Sequence, residues 1–253
     1  MPLIENPASP VPGQLQGLHL FHYDGAPCAQ WVRFALVHDG RLYLESLDII
    51  EYLDETFGGT RLVPSDPEAR AATLELVAQA ESLHRSIRYV SFRWGLGRLA
   101  MLNPQQRQTL AELAGTGGDG ERLVSFYQGF STGGIAEDVY LDHLRLLFEG
   151  FAELDARLRD GRQFLMGDDI SIADPFWSMK VLRMIECGYP IETYHSALFA
   201  WYQRVYQRTA FQNEVMGKNR LSHHLFRAKA GFEKLLGKGL GRAVQTVSIQ
   251  AAA

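Results

Sequence analysis

The 253-residue chain has little cysteine, no long apolar run and no strong excess of charge, and each shortage closes off a class of protein. Its two cysteines, Cys28 and Cys187, stand too far apart to mark a disulfide framework or a metal-ligand spacing. A reducing, cytoplasmic setting is the expectation. No uninterrupted apolar run approaches the ~20 residues that a bilayer-spanning helix needs. Residues 1 to 17, "MPLIENPASPVPGQLQG", have neither the basic start nor the apolar stretch of a secretory signal, and their four prolines predict a loose, exposed leader. With 25 basic against 29 acidic residues the formal charge is −4, which argues against a nucleic-acid binder. His223 and His224 have no carboxylate or cysteine at ligand spacing, so no metal is expected. What is present is a 46% hydrophobic content, enough to build the core of one large or two modest domains.

"LHLFHY" (18 to 23) predicts a short strand, broken by Asp24, Gly25 and Pro27. From Cys28 to about Ala35 the pattern is helical, with Pro27 where a first-turn proline costs least. "LVHDGRLYL" (36 to 44) sets Asp39 and Gly40 between two alternating apolar arms and predicts a hairpin. A helix follows in "ESLDIIEYLDETFGG", with Ile49, Ile50, Leu53 and Phe57 on one stripe and Gly58 as its stop. The junction at Ala35 and Leu36 is abnormal: a helix would end and a strand begin across one peptide bond, where such connections take about 2 to 6 residues.

Beyond Pro67 the chain predicts long helices at 67 to 101, roughly 104 to 114, 136 to 160, 172 to 187 and 195 to 209, with a Gly-rich break at 115 to 121. "ISIADPFWSM" places Ser171 as an N-cap, and Asp174 three residues on can reach back to the cap amide. Cys187 is expected to pack within its helical domain. The tail after Met216 has seven basic residues against one acidic, a net +6 that leaves −10 for the remainder. It predicts a C-terminal helix docked on the body, or an amphipathic helix meeting acidic lipid or a partner.

The stretches "APCAQWVRFAL" (26 to 36), "LVHDGRLYLESLDIIEYLDE" (36 to 55), "LVPSDPEARA" (62 to 71) and "FLMGDDISIADPFWSM" (164 to 179) resemble the cytosolic glutathione transferase superfamily, nearest to its cysteine-type bacterial members, the reductive dehalogenases, glutathione lyases and β-etherases. The resemblance implies an α/β thioredoxin-like N-terminal domain over 18 to 60 and an all-α helical bundle domain over 66 to 215, flanked by the 1 to 17 leader and a basic extension over 216 to 253. Against that family the N-terminal domain lacks its second strand, second helix and the start of its third strand, roughly 35 to 45 residues by the unclosable connection at Ala35. The absent stretch is where the family carries a cis-proline that contacts glutathione.

By the same resemblance Cys28 is the candidate nucleophile, and Glu45 and Ser46 are the pair that holds the γ-glutamyl end of glutathione, the co-substrate. The physics agrees at both places, because a helix start favours a thiolate and a carboxylate alike. Tyr89, Arg93 and Trp94, with Tyr23 as an outside candidate, are the expected receptors for a small aromatic electrophile or conjugate, in a pocket between the two domains lined by the helix from 67 to 101. A homodimer is implied. The implied activity is deglutathionylation, thiol transfer or reductive dehalogenation, with a catalytically silent binding or scaffolding protein and a glutathione-dependent isomerase as rivals.

Overall fold

The computed structural model describes residues 3–4, 16–21, 35–39, 41–43, 46–58, 61–97, 103–106, 108, 120–217 and 220–251. Four short strands, β1 (Leu3–Ile4), β2 (Leu18–Phe21), β3 (Ala35–His38) and β4 (Arg41–Tyr43), form one sheet in the order β1-β4-β3-β2. Every pairing is antiparallel, with Leu18 opposite His38, Phe21 opposite Ala35 and Leu36 opposite Tyr43. The hairpin expected at Asp39 and Gly40 joins β3 to β4. Asp39 takes φ +48°, a left-handed conformation that aspartate tolerates better than most residues, and its carboxylate accepts the Gly17 amide at 2.9 Å.

Ala35 belongs to the strand and not to the end of a helix, because its partner across the ladder is Phe21. The rest of the helix expected from Cys28 lies outside the described residues. Helix α1 (Ser46–Phe57) buries Ile49 and Ile50, while Phe57 at its end is 53% exposed. Asp54 near its C-terminus accepts the Leu62 and Val63 amides at 2.7 and 2.8 Å, and the Leu62 carbonyl accepts Ile172 N–H at 2.9 Å.

The helix expected over 67 to 101 is divided. Helix α2 (Pro67–Ser82) and α3 (His84–Ser91) are separated at Leu83, and widened turns follow over Phe92–Leu96, where Gly95 takes φ +136°. That value is open to glycine and costly for other residues, so helical geometry ends there. Helix α4 (Gly120–Gly133) is absent from the sequence reading. Its glycines weaken the local signal, and aromatic packing supplies what propensity does not: Phe92 meets Phe126, Tyr127 and Phe130 at 5.2 to 5.9 Å between ring centroids. Helices α5 (Glu137–Leu158), α6 (Ala173–Glu186), α7 (Ile191–Tyr194), α8 (Ser196–Tyr206), α9 (Arg220–Leu235) and α10 (Leu240–Ala251) follow, with widened turns again over Phe211–Met216.

The chain divides into two compact units. One comprises 1–82, 154–182 and 191–224, with a core of Ile49, Leu76, Phe176, Trp177 and Trp201. Asp174, fully buried, is its polar centre: its carboxylate accepts Leu165 N–H (3.0 Å), Ser171 N–H (2.8 Å), Ser171 Oγ–H (3.1 Å) and Trp201 Nε1–H (2.8 Å). The reach back to the Ser171 amide is as the spacing predicts. The Ser171 hydroxyl donates to the same carboxylate, and the Ser171 carbonyl accepts the Asp174 amide at 3.2 Å. Burial raises the Asp174 pKa more than these four hydrogen bonds lower it.

The other unit comprises 83–153, 183–190 and 225–253, with Val90, Leu144, Leu147, Phe151, Met184, Val244 and Val247 in its core. Cys187 is a free, fully buried thiol there, its pKa pushed up by burial, which makes it packing material as expected. Gly188 takes φ +87°, and a Cβ on it would stand 3.1 Å from Ala230 Cβ, so α9 seats its inner face closely at this glycine.

Candidate functional site

Tyr23, Cys28 and Glu45 lie outside the described residues. Ser46 is the first residue of α1, whose first turn also holds Asp48. Free amides at that helix start are the local requirement for holding a carboxylate, and Asp48 competes for the same positive end.

Tyr89, Arg93 and Trp94 are all described, and the structure separates them into two groups. Tyr89, on α3, faces a ring cluster, 4.2 Å from His143 and 4.9 Å from Phe126 between centroids. His143 in turn bonds Ser86 Oγ at 3.0 Å, and burial, aided by Arg85, lowers its pKa. Arg93 is held internally: its guanidinium donates to the Ile135 carbonyl and the Glu137 carboxylate and lies 5.0 Å from the Tyr140 ring centroid.

Trp94 is held by the C-terminal extension. Its Nε1–H donates to Glu233 at 2.7 Å, and Lys229 Nζ sits 3.6 Å from the indole centroid while donating to Glu233 at 2.6 Å and to the Trp94 carbonyl at 2.9 Å. Phe226 packs edge-on at 6.0 Å. Lys229 and Glu233 are four residues apart on α9, the spacing at which helix side chains meet, so this pair was available to sequence reasoning. Its partner Trp94, well over a hundred residues away, was not.

Arg93 and Trp94 line a cavity of about 410 Å³ together with Tyr140, Glu233, Leu240 and Arg242. A second, of about 390 Å³, shares Arg93 and is closed by Phe92, Phe130 and Ile135. In the first, two groups are uncommitted. Tyr140 is 7% exposed and its phenol makes no hydrogen bond to a described residue. Burial raises its pKa, so it stays a protonated donor at neutral pH. Arg242 has no carboxylate partner among the described residues. A donor and a free cation beside an indole and a leucine suit a small aromatic anion. Neither residue was singled out from sequence, because only the packing of α9 and α10 brings them to the cavity. No cluster of three metal-ligating side chains occurs among the described residues.

Comparison with known proteins places the fold. Residues 105–204 match the family model for the glutathione S-transferase C-terminal domain. The rice protein IN2-1 homolog A is 42% identical over 53 residues, 21% of this chain and 22% of that protein, so the match takes in about a fifth of the curated relative's length. The solved structure of the β-etherase LigF from Sphingobium sp. strain SYK-6 superposes with a TM-score of 0.59 at 21% identity, over 71% of this chain and 76% of that one. Maleylpyruvate isomerase from Pseudomonas aeruginosa PAO1 gives 0.52 at 21% identity, over 79% and 95%. These likenesses define a protein of the glutathione transferase fold with a helical C-terminal domain. Residues 105–204 carry the glutathione S-transferase C-terminal domain, in a chain of the same fold.

Proposed function

We propose that the chain is a glutathione-dependent enzyme acting on a small hydrophobic or aromatic substrate through the Cys28 thiolate. The match of residues 105–204 to the family's C-terminal domain carries this reading, and the rest is argued from the site and from analogy of fold. The antiparallel order of β2, β3 and β4 is compatible with a thioredoxin-type sheet whose second strand is absent. Glu45 and Ser46, at the start of α1, hold the γ-glutamyl end of glutathione. Tyr23 and Tyr89 remain proposed contacts for the aromatic group. Arg93 and Trp94 shape its cavity as bound walls, and Tyr140 and Arg242 are the groups free to meet an acidic substituent. A cytoplasmic homodimer without nucleic-acid partners completes the proposal.

In the proposed step, Cys28 Sγ⁻ attacks the sulfur of a glutathionyl-aromatic thioether. A new S–S bond forms, the carbon–sulfur bond breaks, and the departing carbanion takes a proton from solvent. A second glutathione thiolate then attacks the mixed disulfide and regenerates Cys28, so that thioether and glutathione yield reduced product and glutathione disulfide.

A second reading has its own support. Only residues 22 to 34 separate β2 from β3, too few for a further strand, helix and strand start, and no receptor for the middle of glutathione stands among the described residues. A binding protein without turnover is the result; the isomerase alternative rests on the fold of a neighbour alone.

Calorimetric titration with glutathione, run beside turnover of a glutathionyl-aromatic thioether, separates these readings. Binding with turnover that Cys28→Ser abolishes supports the enzyme, whereas no binding by the intact chain supports the silent protein.

A further inference from the structure

Helix α9 is amphipathic in the wrong sense for a helix that only docks on a protein body. Its inner face is occupied: Phe226 and Glu233 meet Trp94, Ala230 meets Gly188, and His223 is buried. Its outer face carries a second apolar stripe that nothing covers among the described residues. Leu221, Leu225, Phe232 and Leu235 are 73, 59, 63 and 87% exposed, and Leu236 just beyond the helix is 53% exposed. At 3.6 residues per turn the four fall within an arc of about 80°, over about 21 Å of helix. Ala228 is exposed in the same arc, so no polar residue interrupts it.

A line of positive charge runs along one flank of the stripe. Arg220, Arg227 and Lys234 fall on that flank, Lys238 follows the helix end, and none forms an ion pair with a described residue. Glu233, the tail's one acid, is engaged by Trp94 and Lys229 on the inner face and neutralises none of them. The extension therefore presents its positive charge while the remainder of the chain is acidic.

We propose that α9 is a membrane-surface helix that lays its outer apolar stripe into the headgroup boundary of an anionic bilayer. Such a surface offers an apolar layer and a plane of negative charge side by side, as the stripe and its flank require. A second copy of the chain fits less well, since pairing two stripes would bring like-charged flanks together with no free carboxylate between them. The helix lies on the membrane and does not cross it, since no described helix is long and apolar enough to span.

The test is co-sedimentation of the full chain with vesicles of phosphatidylcholine alone and of phosphatidylcholine with phosphatidylserine, at low and high salt. The expected result is pelleting with the phosphatidylserine vesicles that falls with salt. Arg227→Gln with Lys234→Gln weakens it by about fivefold per charge, and Leu225→Ser with Phe232→Ser abolishes it. Two pairs on different faces keep the test independent of one variant's folding, which thermal melts check. No pelleting with phosphatidylserine vesicles, or pelleting that neither pair changes, overturns the proposal. It is equally overturned if light scattering shows a dimer that Leu225→Ser with Phe232→Ser dissociates while the parent chain ignores vesicles.

Discussion

Two tryptophan–carboxylate pairs, one in each unit, have almost the same hydrogen bond and different surroundings. Trp201 donates to Asp174 at 2.8 Å and Trp94 to Glu233 at 2.7 Å. Asp174 is sealed from water and takes three further donors within its own unit, whereas the Glu233 side chain is 25% exposed and shares its charge with Lys229. A buried carboxylate with every lone pair engaged fixes a fold. A half-exposed one beside a cavity shapes a surface that can adapt, because water can replace any partner it loses.

Breaking each pair should show this asymmetry. Asp174→Ala strands four buried donors at once and should cost about 4 kcal/mol, read from urea unfolding. A smaller loss comes from pH in the same unit. Burial holds the pKa of His195 down at about 4, from an ordinary 6.5, against the pull of Asp155. A depressed histidine binds its proton in the unfolded chain first, so stability is whole above about pH 6.5 and falls as the pH drops toward 4, by about 2 to 3 kcal/mol at most. His195→Gln should flatten that acid limb in unfolding curves taken across the range.

In the other unit the expected effects are smaller. Gly188→Ala puts a side chain at φ +87° against Ala230 and should cost about 1 to 2 kcal/mol; hydrogen exchange confined to α9 and α10 would locate the loss. Glu233→Gln removes the charge shared by Lys229 and Trp94 and should cost about 1 kcal/mol or less. If Glu233→Gln instead destabilised the chain as much as Asp174→Ala, the contrast between a sealed and an adaptable pair would be void.

Local chemistry settled the elements that are strongly patterned. Asp39 and Gly40 between alternating arms specified the hairpin, Gly58 ended α1, and the spacing of Ser171 and Asp174 specified the reach of the carboxylate back to the amide. These are interactions over a few residues, and sequence spacing is a direct measure of distance there. The helix α4 escaped for the converse reason: its glycines speak against helix, and the aromatic rings that hold it belong to another segment.

The tertiary structure alone decided three things about the site region. It committed Arg93 to Glu137 and Trp94 to Glu233, it left the Tyr140 hydroxyl and the Arg242 guanidinium without a hydrogen-bond partner among the described residues at one cavity, and it turned the second apolar stripe of α9 outward. Each depends on which of two chemically acceptable partners is nearest once the chain has packed. By itself the sequence determined that the chain carries the superfamily's helical domain and a basic, apolar-striped tail; which face of that tail meets the protein was set by the close approach at Gly188 and the indole of Trp94, contacts between segments that spacing along the chain does not encode.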